Sequence, residues 1–204
     1  MAKEIINNFS KRHQVWRACA SDELRPVLNY IYFENGYAYA SDSHVLVRIP
    51  FSLLSYFDPE DAKKLNGHGI YGPAYKLITT LGILQIQDCK IKTPEGEEDG
   101  ICLVGALDDC EIRVTLTNPS QKKHPNMEDL FKVEGERTPI KRIGISQTYL
   151  NALTAAMGTT NVKMEFIDNR SKIFVSPVNE IEEREGVAGI IMPIMLTGTI
   201  EGFD

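Results

Sequence analysis

The stretch Ser146-Gln147-Thr148-Tyr149-Leu150-Asn151-Ala152-Leu153-Thr154-Ala155-Ala156-Met157-Gly158 has the design of a short, one-faced helix. Ser146 stands at the N-cap position, Leu150, Leu153 and Met157 share one stripe, and Gly158 supplies the stop. Three strand-like runs follow, Val162–Asp168, Lys172–Val178 and Gly186–Ile194. In the first, Val162, Met164 and Phe166 alternate with Lys163 and Glu165, the period of a half-buried strand. A helix with one apolar face must cover a sheet, so the unit reads as a helix laid on antiparallel strands.

The same design recurs upstream. In Tyr71–Gly82, Pro73 suits a first turn, Gly82 a stop, and Ala74, Leu77, Ile78 and Leu81 form one face. Strands are predicted at Leu84–Lys92 and Ile101–Thr117, where Ile112, Val114 and Leu116 share a side. A third unit, Lys3–Ile49, is incomplete because Glu4–Arg17 has a poor helical stripe. Its strands are clear, since Asn35-Gly36 between Tyr30–Glu34 and Tyr37–Ala40 is a hairpin signal, and His44–Ile49 follows. Tyr30, Tyr32, Tyr37 and Tyr39 read as cross-strand aromatic packing, with stacking on single-stranded bases as the alternative. Lys92–Gly100 reads as an acidic turn, and Met192-Pro193 as the edge of a core strand unless its neighbours make it a groove wall. The fold class is therefore α+β, a recurring helix-then-strands unit with short helices on antiparallel sheets. Asn118–Pro139, with its prolines and mixed charge, divides the chain into 1–118, a connector at 119–140, and 141–204.

Composition narrows the function classes. The 204 residues are 43% hydrophobic and 25% charged, ordinary globular usage. No apolar run reaches membrane-spanning length, and the start lacks a signal-peptide core, so the default address is the cytoplasm. Net charge is -6, which disfavours a surface that grips nucleic acid everywhere but leaves room for a local basic face. Cys19, Cys89, Cys102 and Cys110 show no CxxC spacing and read as small buried hydrophobes, and His13, His44, His68 and His124 form no zinc pattern. No metal or cofactor is implied, and GxSxG, GxxxxGK(S/T), GxGxxG and HExxH are absent. Asp42 and His44, two apart on a strand, share a side; a structural pair outweighs a small hydrolase, because no third catalytic group has a recognisable spacing. The chain reads as a non-enzyme.

Four segments, in order, resemble the bacterial sliding clamp, the beta subunit of DNA polymerase III. Arg25-Pro26-Val27-Leu28-Asn29-Tyr30-Ile31-Tyr32-Phe33-Glu34 is similar to that family's RxxLNG(V/M)LFE, and Ala40-Ser41-Asp42-Ser43-His44-Val45-Leu46 to its ATDGHRL. His124-Pro125-Asn126-Met127 sits where the family has FPDY, and Gly189–Leu196 resembles its terminal YVVMPMRL. The match covers most of the chain, as the family's middle domain followed by the second half of its last one, and it implies that family's DNA-clamp fold of repeated β-α-β-β-β units with short helices packed on antiparallel sheets.

The resemblance implies a peptide-binding groove for linear motifs of DNA polymerase and other replication or repair proteins. Carried over by position, the groove takes Leu28, Ser41, Ser43, His44, Val45 and Leu46 from the first part of the chain. Pro125 and Leu130 come from the connector, and Ile190, Met192, Pro193, Ile194, Met195 and Leu196 from the end. Apolar Leu, Ile and Met side chains suit Leu and Phe anchors, with Ser41, Ser43 and His44 as a polar rim. Ser43 replaces the family's Gly, while Val45 and Met195 replace Arg, so the groove is expected to be cation-poor and less attractive to acidic peptides. Ile200 and Phe203, in the tail Thr197–Asp204, are expected to fold back as a tethered ligand.

The resemblance also implies non-specific encirclement of double-stranded DNA by an oligomer. Lys11, Arg12 and Arg17 are the best basic cluster, Lys63 and Lys64 the second, and Lys76 stands alone on its helix. A solvated surface is the competing reading of each. The chain is thus expected to be a sliding-clamp-like processivity or docking factor, self-associating through an open sheet edge. The alternative is a stand-alone peptide-binding module of clamp fold that never loads on DNA.

Overall fold

Asn35 and Gly36 adopt positive φ (51° and 82°), the pair of conformations that closes a two-residue turn matched to strand twist. Around them β1 (Tyr30–Glu34) and β2 (Tyr37–Ser41) form a hairpin, with Tyr32 opposite Tyr39. The structure is a computed structural model, and it describes residues 7–93, 96–118, 126–132, 137–140 and 142–196. After the hairpin come β3 (Val45–Pro50), α1 (Phe51–Leu54), α2 (Pro59–Leu65), β4 (His68–Tyr71) and α3 (Gly72–Ile78). Three longer strands follow, β5 (Leu84–Thr93), β6 (Gly96–Leu107) and β7 (Cys110–Thr115). The remainder is α4 (Met127–Leu130), α5 (Gln147–Met157), β8 (Val162–Glu165), β9 (Ile173–Pro177), α6 (Glu180–Arg184) and β10 (Ala188–Ile191).

All strand pairs are antiparallel. Seven strands run in the order β4-β1-β2-β3-β10-β9-β8, and β5-β6-β7 form a second sheet. The two sides of the 119–140 segment meet in space, because β3 pairs with β10 and sets Leu46 opposite Ile190. The sheets touch where Gly69 and Thr117 exchange two N–H···O=C bonds of 2.8 Å. Helix α5 lies across β3 and β10 and buries Leu153, Ala156 and Met157. Its start is capped as expected, Ser146 Oγ accepting the Tyr149 N–H at 3.4 Å, and Gly158 ends it. A helix followed by a three-strand meander occurs twice, after α3 and after α5, and a one-turn 3-10 helix at Val15–Ala18 stands in for the helix of the first unit. The architecture is α+β, with short helices on antiparallel sheets.

Several local expectations are corrected. The acidic run Glu97–Asp99 is strand, not turn: Lys92 faces Glu97 and Lys90 faces Asp99 across the β5–β6 ladder, so the charges pair across strands. Ile101–Thr117 is two strands, broken at Asp108, whose φ of 52° makes the turn. The last strand stops at Ile191 rather than Ile194, because β10 is central and Pro193 has no N–H for a ladder. Met192-Pro193 is thus beyond a central strand rather than on an edge strand. Cys110 is exposed at the start of β7, whereas Cys102 is buried and Cys19 and Cys89 are intermediate. Of the four tyrosines, Tyr32 and Tyr39 are buried, and Tyr30 packs against Tyr71 with ring centroids 5.7 Å apart. No helix among the described residues is long and apolar enough to cross a membrane.

Candidate functional site

The turn from β2 to β3 is fixed by its own side chains. Asp42 Oδ1 accepts the backbone N–H groups of His44 and Val45, each at 2.8 Å. Ser41 Oγ donates to the Val45 carbonyl at 2.8 Å and accepts the Ser43 N–H at 3.1 Å. These bonds hold Ser43 at φ 79°, in the left-handed region that favours glycine, which accounts for the glycine of the resembled motif. The side-chain pairing expected between Asp42 and His44 is corrected, since the carboxylate is taken up by the backbone. The His44 ring instead stacks on Tyr149 of α5, centroids 4.7 Å apart and planes 12° apart. Arg25 donates to Ser43 Oγ and lies 3.7 Å from Asp22.

Strand pairing then brings the far end of the chain to this turn. Ile190 lies opposite Leu46, Ile191 opposite Val45, and the Met192 N–H donates to the His44 carbonyl at 2.8 Å. A third element completes the wall. Helix α4 buries Met127 against Tyr39, Leu46 and Ile190 and leaves Leu130 at the surface. The helix is pinned at Glu128, which accepts from the Tyr39 hydroxyl and from Arg48 Nη1 at 3.0 Å. Arg48 is itself held between the rings of Tyr37 and Phe131, 5.0 and 4.6 Å from their centroids. Burial and the carboxylate of Glu128 push the Tyr39 hydroxyl well above the ordinary phenol range, so it remains a donor.

These elements enclose a cavity of about 250 Å³ lined by Leu28, Ser41, Ser43, His44, Val45, Leu46, Leu130, Ile190 and Met192, all candidates from the sequence. The lining also includes Lys172, which sequence reasoning missed. The sequence holds no local signal for it: Lys172 stands just before β9 and is placed at the cavity because Phe174, two residues on, packs on the Leu46–Ile190 cluster. Pro193, Ile194, Met195 and Leu196 do not line the cavity, because the chain turns to Gly144, whose carbonyl accepts the Ile194 N–H at 2.8 Å. Pro125 and the tail Thr197–Asp204 lie outside the described residues. Two larger hollows, about 330 and 490 Å³, contain none of the groove candidates.

The basic candidates are dispersed over three parts of the chain, the segment around the first 3-10 turn, α2 and α3. Lys63 and Lys64 sit on α2 in ion pairs with Glu60 (2.7 Å) and Asp61 (2.9 Å). Arg12 pairs with the buried Glu182 and donates to the Gly158 carbonyl at 2.9 Å, and Arg17 donates to Gln14 at 2.6 Å. Lys11 is exposed, as is Lys76 on α3. Among the described residues no group of three or more His, Cys, Asp or Glu is arranged to hold a metal ion.

Among solved structures the chain is similar to the DNA polymerase sliding clamp of Bacillus subtilis, at 12% identity and a TM-score of 0.53. That likeness covers 96% of this chain and 65% of that one. It is also similar to a DnaN sliding clamp (DNA polymerase III subunit beta) from Pseudomonas aeruginosa, solved bound to griselimycin, at 12% identity and a TM-score of 0.50, covering 96% and 67%. The chain therefore has the sliding-clamp fold over somewhat less than two thirds of the length of the Bacillus subtilis clamp. No protein-family model matches it, and no curated protein does.

Proposed function

We propose that this chain is a non-enzymatic, clamp-like docking factor of DNA replication that receives short linear peptides of DNA polymerase and other DNA-processing proteins in the groove between β3, β10 and α4. The observation that carries this reading is the convergence of Leu28, Leu46, Leu130, Ile190 and Met192 on one shallow, apolar cavity from three separate parts of the chain. At about 250 Å³ it lies just below the roughly 300–1,000 Å³ of drug-sized sites and suits one or two apolar side chains of a peptide. Each buried anchor contributes roughly 1.5–3 kcal/mol before ordering costs, so binding by a single motif is expected on the order of micromolar or weaker.

The test is anisotropy of a labelled short peptide with Leu and Phe anchors, titrated with the whole chain. Met192→Glu and Leu130→Glu alter residues that are each 41% exposed, so the fold survives them. Each is expected to weaken binding by about tenfold or more. Saturable binding that ignores both substitutions, or none by the unmodified chain, overturns the proposal.

Assembly into an oligomer that encircles duplex DNA is one extension of this reading. Its support is the end strand β8, beyond which no strand pairs among the described residues. The division into 1–118, 119–140 and 141–204 is proposed with it, the two outer parts contributing jointly to one sheet. A specific observation favours the alternative, a module that docks peptides without loading on DNA: Arg12, Lys63 and Lys64 already have carboxylate partners, and α5 carries no Lys or Arg. Salt-sensitive retention on circular but not linear plasmid supports the ring, and a strict monomer in sedimentation with no retention supports the module.

A further inference from the structure

The groove is apolar apart from its serine and histidine rim and a single ammonium group. Lys172 is half-buried in the cavity wall, its Nζ donating to the Leu130 carbonyl at 2.5 Å and lying 5.3 Å from the centre of the Phe174 ring. Among the described residues no carboxylate lies within ion-pair distance of it. An ammonium has three protons to donate, and one carbonyl takes only one of them. Arg25, which bonds the rim residue Ser43, differs: it already has Ser43 Oγ and the carboxylate of Asp22.

We propose that Lys172 makes the groove selective for peptides that carry an Asp or Glu side chain next to an apolar anchor. This rests on the peptide-groove reading above and adds to it the class of ligand. The charge complementarity is local and matters for that reason. The chain as a whole carries a net charge of -6, so an acidic peptide is repelled by most of the surface and gains only where a cation stands inside the site. Beside low-dielectric walls, a charge-assisted bond to Nζ is stronger than the same pair in open water. Val45 and Met195, standing where the resembled motifs carry arginine, led to the expectation of a cation-poor groove. Lys172 corrects it by supplying a charge from the β9 side, against the Leu130 wall rather than from the β2–β3 turn.

The experiment compares three labelled peptides with the same Leu and Phe anchors, titrated with the whole chain at low and high salt. One has Glu beside the anchor and an amidated end, one has Gln and an amidated end, and one has Gln and a free terminal carboxylate. The Glu peptide is expected to bind about tenfold more tightly than its Gln twin at low salt, with the gap shrinking as salt screens the pair. Lys172→Met should abolish that gap, Lys172→Glu should invert it, and Lys90→Ala, on the other sheet, should leave it in place. Equal binding of the Glu and Gln peptides to the unmodified chain overturns this inference and leaves the groove standing. A Lys172-dependent gain by the free carboxylate alone also overturns it, in favour of a chain terminus as the ligand. Failure of all three peptides to bind overturns the groove itself.

Discussion

The seven-stranded sheet and the β5–β7 sheet use the same antiparallel ladder on strands of opposite character. Along β3 only Arg48 escapes burial, and β10 buries Gly189, Ile190 and Ile191. Along β6 the first four residues, Gly96 to Asp99, are exposed, and full burial is confined to Cys102–Gly105. The first sheet is held by side chains packed under α5, the outer half of the second by backbone hydrogen bonds and surface ion pairs. A groove wall must keep its shape as ligands come and go, and the candidate groove is built on the first sheet. Local opening is expected to concentrate in the second.

The contrast is tested most severely at Leu153. This fully buried residue sits directly over Gly189 of β10, where a Cβ would come within 2.6 Å of Leu153 Cδ1. Leu153→Ala removes the contact that seats α5 on the sheet and is expected to cost about 2–5 kcal/mol in urea unfolding. Ile91→Ala, on the outer half of β5, is expected to cost about 1 kcal/mol or less. Equal losses would mean that the outer half of the second sheet is packed as firmly as the first and that the comparison is false.

A smaller effect is expected at the α4 wall. Arg48→Met leaves Glu128 with the Tyr39 hydroxyl alone, and Glu128→Gln weakens the same link from the other side. A double-mutant cycle on the pair should give a coupling of about 1 kcal/mol, accompanied by faster amide exchange at Met127–Leu130. Additive losses with unchanged exchange would show that α4 is held by Met127 burial alone.

What could be read from the sequence follows the range of each interaction. The β1–β2 turn and both ends of α5 were legible because Asn35-Gly36, Ser146 and Gly158 act on their own backbone neighbours. Helices α2 and α6 carry similar local signals in Asp58 and Asn179, which accept the N–H groups of Glu60 and Ile181, but both helices are too short to show an apolar stripe beside the cap. The acidic strand Glu97–Asp99 was illegible, because its partners lie on β5 and an exposed ladder needs no alternating apolar face. The pairing of Leu46 with Ile190 leaves no local trace either. Those groove residues came from the resemblance of motifs, and the residues that support them, Tyr39, Arg48, Met127 and Glu128, came only with the fold.

His13 offers a weaker, pH-confined test of the packed region. Its ring is buried at the end of α5, Nδ1 lying 3.0 Å from the Met157 carbonyl. Burial first, and then the Arg12 charge, lower its pKa below the ordinary 6.5, against the opposing pull of that carbonyl and of Glu182. A histidine depressed in the folded state takes up protons more readily when unfolded. Its contribution is therefore fully present above pH 6.5 and is lost as the pH falls toward the folded value. His13→Asn keeps an N–H donor but does not titrate, and should flatten the unfolding midpoint over that window. An unchanged acid slope would place the loss at other groups.

The least effect belongs to the β5–β6 ladder, and its size is the sharpest form of the comparison. Lys90 and Asp99 are bonded across the strands, yet their side chains are 63% and 89% exposed. Water and salt screen such a pair, and holding two long side chains in one geometry cancels much of its attraction. Lys90→Ala is accordingly expected to shift stability by about 0.5 kcal/mol or less, with no change in peptide binding. If it instead unravels the outer strands, so that amides of Lys90–Thr93 and Gly96–Asp99 lose protection, surface charge rather than the backbone ladder sets the register there. The second sheet would then have a specificity device of its own, written in the acidic run of β6.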